Sequence, residues 1–130
     1  MNLLLVDDNP DTADMVKMLF SLRGHVVEIA HDPLTALVKA RDFDADAMIL
    51  DIGLPHMDGY ELAEHLRVNG ATCRMVVVSG AQPDQRRCAR LGISSYLVKP
   101  AELDALVAAV EQNAPPEAEP PPRMAMSAAA

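Results

Sequence analysis

The chain has 130 residues, of which 50% are hydrophobic, and its formal charge at pH 7 is −8. This length predicts one domain, and the hydrophobic fraction is sufficient for a buried core. The negative charge and the scarcity of aromatic residues (two Phe, two Tyr and no Trp) argue against binding to nucleic acid or to an anionic membrane surface, and they favour a metal cation or a basic protein partner.

Short apolar runs that end at turn residues alternate with helix-like segments along most of the chain. The helix that begins at Pro33 is expected to turn Leu34, Leu37 and Val38 inward. In chain order, the predicted elements are a strand at 3–6, a helix at about 10–23, a strand at 26–30, a helix from 33, a strand at 47–51, a helix at about 59–69, a strand at 75–78, a helix from 82–83 to 92, a strand at 96–98 and a helix at about 101–112.

Strands that are apolar on both faces and alternate with amphipathic helices are typical of a parallel sheet with helices on both sides. Right-handed crossovers make such a sheet an open, doubly wound α/β fold. From Ala114 the composition changes to Pro, Ala and Glu, which do not form a core. We therefore predict one domain over residues 1–113 and a disordered tail over residues 114–130.

The N-terminus lacks the basic segment and the long apolar run of a signal peptide, and no apolar run approaches the roughly 20 residues that span a bilayer. A cytoplasmic location is therefore expected. Cys73 and Cys88 lack metal-ligand spacing and are too few for a disulfide framework, so both are expected to be free thiols. Solvated side chains, not metal ligands, are expected for the four histidines, which are His25, His31, His56 and His65.

Polar side chains stand at the ends of four predicted strands. In a parallel sheet these ends share one edge, where open α/β sheets bind ligands. The side chains that reach this edge are those of Asp7, Asp8, Asp51, Ser79 and Lys99. Taken singly, an aspartate can cap the next helix, a serine can occupy a turn, and a lysine can be solvated. Their joint occurrence favours a functional site, whereas Tyr96 fits a core position and a switching side chain equally well.

Three carboxylates at one edge repel one another and resist ionising together. Mg²⁺ removes this conflict, because it prefers oxygen ligands and retains several waters. Aspartate oxygens and a backbone carbonyl just past Asp51 are the expected protein ligands. Asp51 can then remain anionic and act as a nucleophile toward phosphorus, while Lys99 and Ser79 stabilise charge on the phosphoryl oxygens.

These segments resemble the receiver domain of bacterial two-component response regulators over about residues 2–112. The resemblance implies a flavodoxin-like fold with five helices around a five-stranded parallel sheet, in the strand order 2-1-3-4-5. The matching segments are Leu-Leu-Leu-Val-Asp7-Asp8-Asn, Met-Ile-Leu-Asp51-Ile-Gly-Leu-Pro55-His-Met-Asp-Gly59, Val-Val-Val-Ser79-Gly-Ala and Tyr96-Leu-Val-Lys99-Pro100.

The resemblance also implies roles for the acidic residues. Asp51 is the expected phosphoacceptor. Asp7, Asp8 and Asp51 would hold Mg²⁺ together with the backbone carbonyl of Gly53. The phosphoryl donor would be a phosphohistidine on a histidine kinase or a histidine phosphotransfer protein.

The other matched residues would complete the switch. Lys99 would contact the phosphoryl group, across a Lys99–Pro100 peptide bond that is typically cis in this family. Ser79 and Tyr96 resemble the coupled switch pair. A downstream protein would bind the face formed by helix 4, strand 5 and helix 5, and the chain would be a monomer or a phosphorylation-dependent dimer.

The sequence departs from the family pattern at small residues. Gly80 follows Ser79, and Ala101 stands where an aromatic residue often follows Lys-Pro. Gly53 and Ala81 flank the expected phosphorylation site, and small residues there would admit water and shorten the lifetime of the phosphorylated state.

Other function classes remain open at this stage. An aspartate-nucleophile phosphatase would carry a second Asp two residues after the nucleophile, where this chain has Gly53. A dinucleotide-binding domain would need a Gly-rich turn after the first strand, where Asp7-Asp8-Asn9 stands. We therefore expect a self-phosphorylating switch, not an enzyme with turnover. The alternatives are a phosphorylation-independent adaptor and an excised receiver of a hybrid histidine kinase.

Overall fold

Five parallel strands form the centre of the fold, in the spatial order β2-β1-β3-β4-β5. The structure is a computed structural model that describes residues 1–51 and 58–112. Its elements are β1 (Asn2–Val6), α1 (Pro10–Leu22), β2 (Val26–Ala30), α2 (Pro33–Asp42), β3 (Ala47–Asp51), α3 (Gly59–Val68), β4 (Arg74–Ser79), α4 (Gln85–Leu91), β5 (Ile93–Val98) and α5 (Leu103–Gln112). The predicted flavodoxin-like α/β fold is confirmed, including its strand order.

The sheet is buried on both faces, which explains why its inner strands read as continuous apolar runs. Alternate residues of β1 enter opposite clusters: Leu4 packs with Met48 and Leu66 on one side, and Leu5 packs with Phe20 on the other. All five are at most 3% exposed. Burying one such side chain contributes roughly 1.5–3 kcal/mol relative to its exposed state, so the two clusters hold the sheet edge rigid beneath the polar residues.

The buried face of α2 differs from the predicted one. Leu34 and Val38 are 73% and 51% exposed, whereas Pro33 and Ala36 are buried and Leu37 is half-buried. The inner face is thus rotated by about one position, because small residues let α2 approach β1 and β2 closely. The prediction that Leu34 and Val38 point inward was wrong.

Helix α4 begins three residues later than the Gln82–Pro83 start that the sequence suggested. The side chain of Asp84 accepts a hydrogen bond from the backbone N–H of Arg87, so Asp84 is the N-cap and Pro83 precedes the helix. Strand β5 begins at Ile93, because its pairing with β4 starts there. Among the described residues, no helix is long and apolar enough to cross a membrane.

Candidate functional site

Three carboxylates meet at the carboxyl edge of the sheet. Val6 of β1 lies beside Leu50 of β3 in the parallel register, so the residues that follow these two strands are neighbours. Carboxylate oxygens of Asp7, Asp8 and Asp51 all lie within 4.8 Å of one another. Asp7 is buried, Asp51 is half-buried and Asp8 is exposed. This arrangement offers three oxygen donors to one cation from a partly shielded position.

Local hydrogen bonds fix Asp7 in place. Its backbone N–H donates to the carbonyl of Ala30 at 3.0 Å, and its Oδ1 accepts from the N–H of Asn9 at 3.0 Å. Asn9 in turn caps α1 by accepting from the N–H of Asp11. His31 Nδ1 donates to the carbonyl oxygen of Asp7 at 3.0 Å. His31 is exposed, as predicted, and this bond also supports the backbone of Asp7.

Lys99 reaches Asp51 from the end of β5. Its Nζ lies 3.1 and 3.2 Å from the two Asp51 carboxylate oxygens, and its backbone N–H donates to the Ser79 carbonyl at 2.7 Å. Burial raises the pKa of Asp51, the nearby Asp7 and Asp8 raise it further, and Lys99 opposes this by favouring the charged form. The Lys99–Pro100 bond is cis, as the resemblance implies.

Ser79 and Tyr96 bond to opposite ends of one residue. Ser79 is 2% exposed, and its Oγ accepts from the backbone N–H of Ala81 at 3.1 Å. The Tyr96 hydroxyl donates to the Ala81 carbonyl at 2.8 Å. A displacement of the Ser79 Oγ away from Ala81 would therefore break a bond on the residue that also holds Tyr96.

Two residues that sequence analysis did not single out brace the helices beside the site. The Tyr60 hydroxyl accepts a hydrogen bond from the backbone N–H of Asp84 at 3.0 Å, and the Arg87 guanidinium lies 4.2 Å from the centre of the Tyr60 ring. Burial raises the pKa of Tyr60 to about 12. Arg67 donates to four backbone carbonyls, two of them on the neighbouring α4–β5 segment. A tyrosine directly after the N-terminal Gly59 of α3 was the only sequence signal for Tyr60.

Sequence analysis also missed the partners of His25. Its Nε2 lies 2.9 Å from a Glu111 carboxylate oxygen, and its Nδ1 lies 3.0 Å from the Met1 amino group. The expectation that His25 is solvated was therefore wrong. Gly53, the predicted source of a carbonyl ligand, and His56 lie outside the described residues.

Comparison with known proteins assigns the chain to one family. Residues 3–111 match the Response regulator receiver domain family. The chain is 34% identical over 110 residues to Response regulator MprA of Mycobacterium avium, covering 83% of this chain and 48% of that protein. It is 33% identical over 108 residues to Response regulator MprA of Mycobacterium tuberculosis, covering 82% and 47%. The chain thus spans about half the length of the curated relatives it matches.

Solved structures similar to this chain are also receiver domains or response regulators. A CheY-like receiver domain protein from Methanospirillum hungatei has a TM-score of 0.79 at 26% identity, covering 85% of this chain and 90% of that one. A Burkholderia pseudomallei response regulator, solved with a phosphorylated aspartic acid, a calcium ion and citrate, has a TM-score of 0.76 at 27% identity, covering 86% and 67%. On the match over residues 3–111 and these likenesses, the chain belongs to the response regulator receiver domain family.

Proposed function

We propose that this chain accepts a phosphoryl group on Asp51 in a Mg²⁺-dependent reaction and passes the change to a protein-binding surface. One observation carries the proposal. The carboxylates of Asp7, Asp8 and Asp51 converge within 4.8 Å, and the ammonium group of Lys99 lies 3.1 Å from Asp51. Nucleophile, cation ligands and a fixed positive charge are the groups that phosphoryl transfer to a carboxylate requires.

The donor set fits Mg²⁺. All three side chains offer carboxylate oxygens, the ligand type that a hard divalent cation prefers. Among the described residues, no Lys or Arg side chain forms an ion pair with Asp7, although this carboxylate is only 7% exposed. Asp7, Asp8 and Asp51 would hold the ion, with the Gly53 carbonyl as a further ligand by resemblance. Bound Mg²⁺ supplies charge neutralisation to the cluster and to the phosphoryl oxygens.

The transfer step uses Asp51 as the nucleophile. A carboxylate oxygen of Asp51 forms a bond to phosphorus as the phosphorus–nitrogen bond of a phosphohistidine breaks, and the bonding electron pair leaves with the imidazole nitrogen. The ammonium group of Lys99, now shared between both Asp51 oxygens, would contact an oxygen of the transferred group. The similar Burkholderia pseudomallei protein was solved with a phosphorylated aspartic acid, which supports this chemistry in the family.

The switch step would follow from the added charge. A phosphoryl group carries roughly −1.5 to −2 charge at pH 7 and presents strong acceptor oxygens. If the Ser79 Oγ moves toward one of these oxygens in order to donate to it, the displacement of Oγ breaks the bond that it now accepts from the Ala81 N–H. Release of Ala81 frees the acceptor of Tyr96, so the face of α4, β5 and α5 shifts toward a second packing.

A histidine kinase or a histidine phosphotransfer protein would supply the phosphoryl group, and a downstream protein would bind the switched face. The chain would act as a monomer or as a phosphorylation-dependent dimer. Its role would be that of a signalling module that modifies itself and loses the phosphoryl group by hydrolysis. The same module could be part of a longer regulator or kinase.

Intact mass spectrometry after incubation with acetyl phosphate and Mg²⁺ tests the proposal. We expect one added phosphoryl mass, its absence without Mg²⁺, and its absence in Asp51→Asn. The matched control is Asp44→Asn, which removes an exposed carboxylate outside the cluster and should leave the adduct unchanged. A purified phosphohistidine donor would then test the proposed partner class.

Rapid hydrolysis can hide an adduct, so beryllofluoride binding is the second measurement. Amide shifts at Ala81 and Tyr96 on adding Mg²⁺ and beryllofluoride would support the switch. Failure of both measurements, together with no saturable Mg²⁺ shifts near Asp7, would refute phosphorylation and leave the phosphorylation-independent adaptor.

A further inference from the structure

The loop of residues 80–84 connects the end of β4 to the start of α4, so it joins the candidate site to a helix of the proposed switch face. Gly80, Ala81 and Gln82 are exposed. Apart from the chain neighbours of Gly80, no heavy atom lies within 4 Å of the point where a Cβ on this glycine would stand. Packing therefore contributes little to the position of this part of the loop, and hydrogen bonds have to fix it.

Among the described residues, hydrogen bonds hold this loop to the rest of the fold at two points. The first point is Ala81, whose N–H donates to the Ser79 hydroxyl and whose carbonyl accepts from the Tyr96 hydroxyl. The second point is Asp84, whose backbone N–H donates to the hydroxyl of Tyr60 at 3.0 Å. Because the two points are only three positions apart in the chain, a movement of Ala81 that carries the start of α4 with it must also displace Asp84 from Tyr60.

Tyr60 itself is held firmly in the second turn-facing position of α3. It is 7% exposed and belongs to a core cluster against which Tyr96 also packs. The Arg87 guanidinium of α4 lies 4.2 Å from the centre of its ring and 3.8 Å from a carboxylate oxygen of Asp58, the N-cap of α3. A side chain packed in the core cannot follow a moving surface loop, so Tyr60 is a fixed point against which the start of α4 is positioned.

We infer that Tyr60 is a positioning residue of the switch, whose hydroxyl retains Asp84, and with it the start of α4, in the packing described here. The inference rests on the proposed phosphoacceptor function and adds to it a regulatory role for α3. After Ala81 is released, α4 reaches the second packing only when Asp84 also leaves Tyr60. The bond therefore lowers the population of the second packing, and it lowers the affinity for any ligand that binds that packing better.

Tyr60→Phe tests the inference, because it keeps the ring and removes only the hydroxyl. Asp84 is exposed, so its N–H can bond to water in the variant. With one opposing hydrogen bond lost, the full chain with Mg²⁺ should bind beryllofluoride about fivefold more tightly than the parent, as followed by the Ala81 amide signal in an NMR titration. Without beryllofluoride, the Asp84 amide should exchange its hydrogen at least about fivefold faster.

Asn69→Ala is the matched control, because it removes a side-chain hydrogen bond at the opposite end of the same helix. The Asn69 amide donates to the carbonyl of His65 at 2.8 Å, and Asn69 is the C-cap of α3. Its beryllofluoride affinity and its Asp84 exchange rate should stay within about twofold of the parent values. A residue that only stabilises the fold does not tighten the binding of a ligand when it is removed, so tighter binding by Tyr60→Phe alone identifies a role in the switch.

The outcomes separate this inference from the proposed function. A parent chain that does not bind beryllofluoride in the presence of Mg²⁺ would contradict the phosphoacceptor function, and the role of Tyr60 would fall with it. A parent that binds, together with a Tyr60→Phe chain that binds no more tightly, would overturn the inference alone. Unchanged exchange of the Asp84 amide in Tyr60→Phe would also overturn it, because the hydroxyl would then not hold the loop.

Discussion

Asp7→Asn should stabilise the fold in the absence of divalent cations, although it removes a residue of the candidate site. The amide keeps the size of the side chain and keeps an oxygen that can accept from the Asn9 N–H. What it removes is a nearly buried negative charge whose oxygens lie within 4.8 Å of two other carboxylates. The change in the free energy of unfolding on this substitution therefore measures the repulsion between the Asp7 carboxylate and its two acidic neighbours.

The magnitude follows from Coulomb's law. Two unit charges 4.8 Å apart repel by about 0.9 kcal/mol at a dielectric constant of roughly 80 and by about 3.5 kcal/mol at roughly 20. Asp8 is exposed, and Lys99 offsets part of the charge on Asp51. The repulsion energy therefore lies toward the lower of these two values. We expect Asp7→Asn to raise the free energy of unfolding by about 1–2 kcal/mol at pH 7.5.

Urea denaturation followed by far-UV circular dichroism measures this difference, first in EDTA and then in Mg²⁺. Mg²⁺ at roughly 100 times its dissociation constant should stabilise the parent by about 2.7 kcal/mol, whereas Asp7→Asn loses a ligand and gains less. The stability advantage of Asp7→Asn should therefore shrink in Mg²⁺, and it reverses where the parent gains over about 1–2 kcal/mol more than the variant. Asp14→Asn removes an exposed carboxylate of α1 outside the cluster. It should change the free energy of unfolding by no more than about 0.5 kcal/mol, both in EDTA and in Mg²⁺.

The pH dependence gives a second check on the same reasoning. The pKa of Asp51 is raised in the folded state, so ionised Asp51 destabilises the fold above that pKa, and this cost disappears as the pH falls below it. The advantage of Asp7→Asn in EDTA should therefore shrink on acidification. A variant that is less stable than the parent in EDTA, or one that gains as much from Mg²⁺, would refute the repulsion argument.

Three further variants test contacts away from the carboxylates. Arg67→Met removes a guanidinium that donates to four backbone carbonyls, and it should lower the free energy of unfolding by about 2–4 kcal/mol in urea melts. The control Arg86→Met, at an exposed position, should lower it by about 0.5 kcal/mol or less. Equal effects of the two variants would contradict the role of Arg67. Tyr96→Phe should cost about 1 kcal/mol and shift the Ala81 amide signal in NMR, and an unmoved signal would show that the hydroxyl contact does not form. The Arg23 guanidinium, 2.6 Å from the Glu111 carboxylate, and His25 lower the pKa of Glu111 to about 2. Glu111 should therefore contribute stability above about pH 4.5 that is lost as the pH falls toward 2. Glu111→Gln should flatten the acid side of the plot of stability against pH, and a curve parallel to that of the parent would exclude the Arg23–Glu111 ion pair.

The sequence determined the architecture and the site residues it could place at strand ends. Apolar runs and turn residues are local signals, and a parallel sheet necessarily brings its carboxyl ends to one edge. Asp7, Asp8, Asp51 and Lys99 were therefore predicted to converge, and the structure brings them together. The predicted tail over residues 114–130 lies outside the described residues and stays a prediction.

Only the tertiary structure decided which side chains contact each other across long sequence separations. His25 meets Glu111 86 residues away, and Arg67 bonds to Gly92, because helices adjacent in space bring their ends together. The inner face of α2 depends on how closely this helix approaches the sheet, which side-chain volume and packing set jointly. Periodicity identifies an amphipathic helix, but its rotation against the sheet depends on the fit of all neighbours at once.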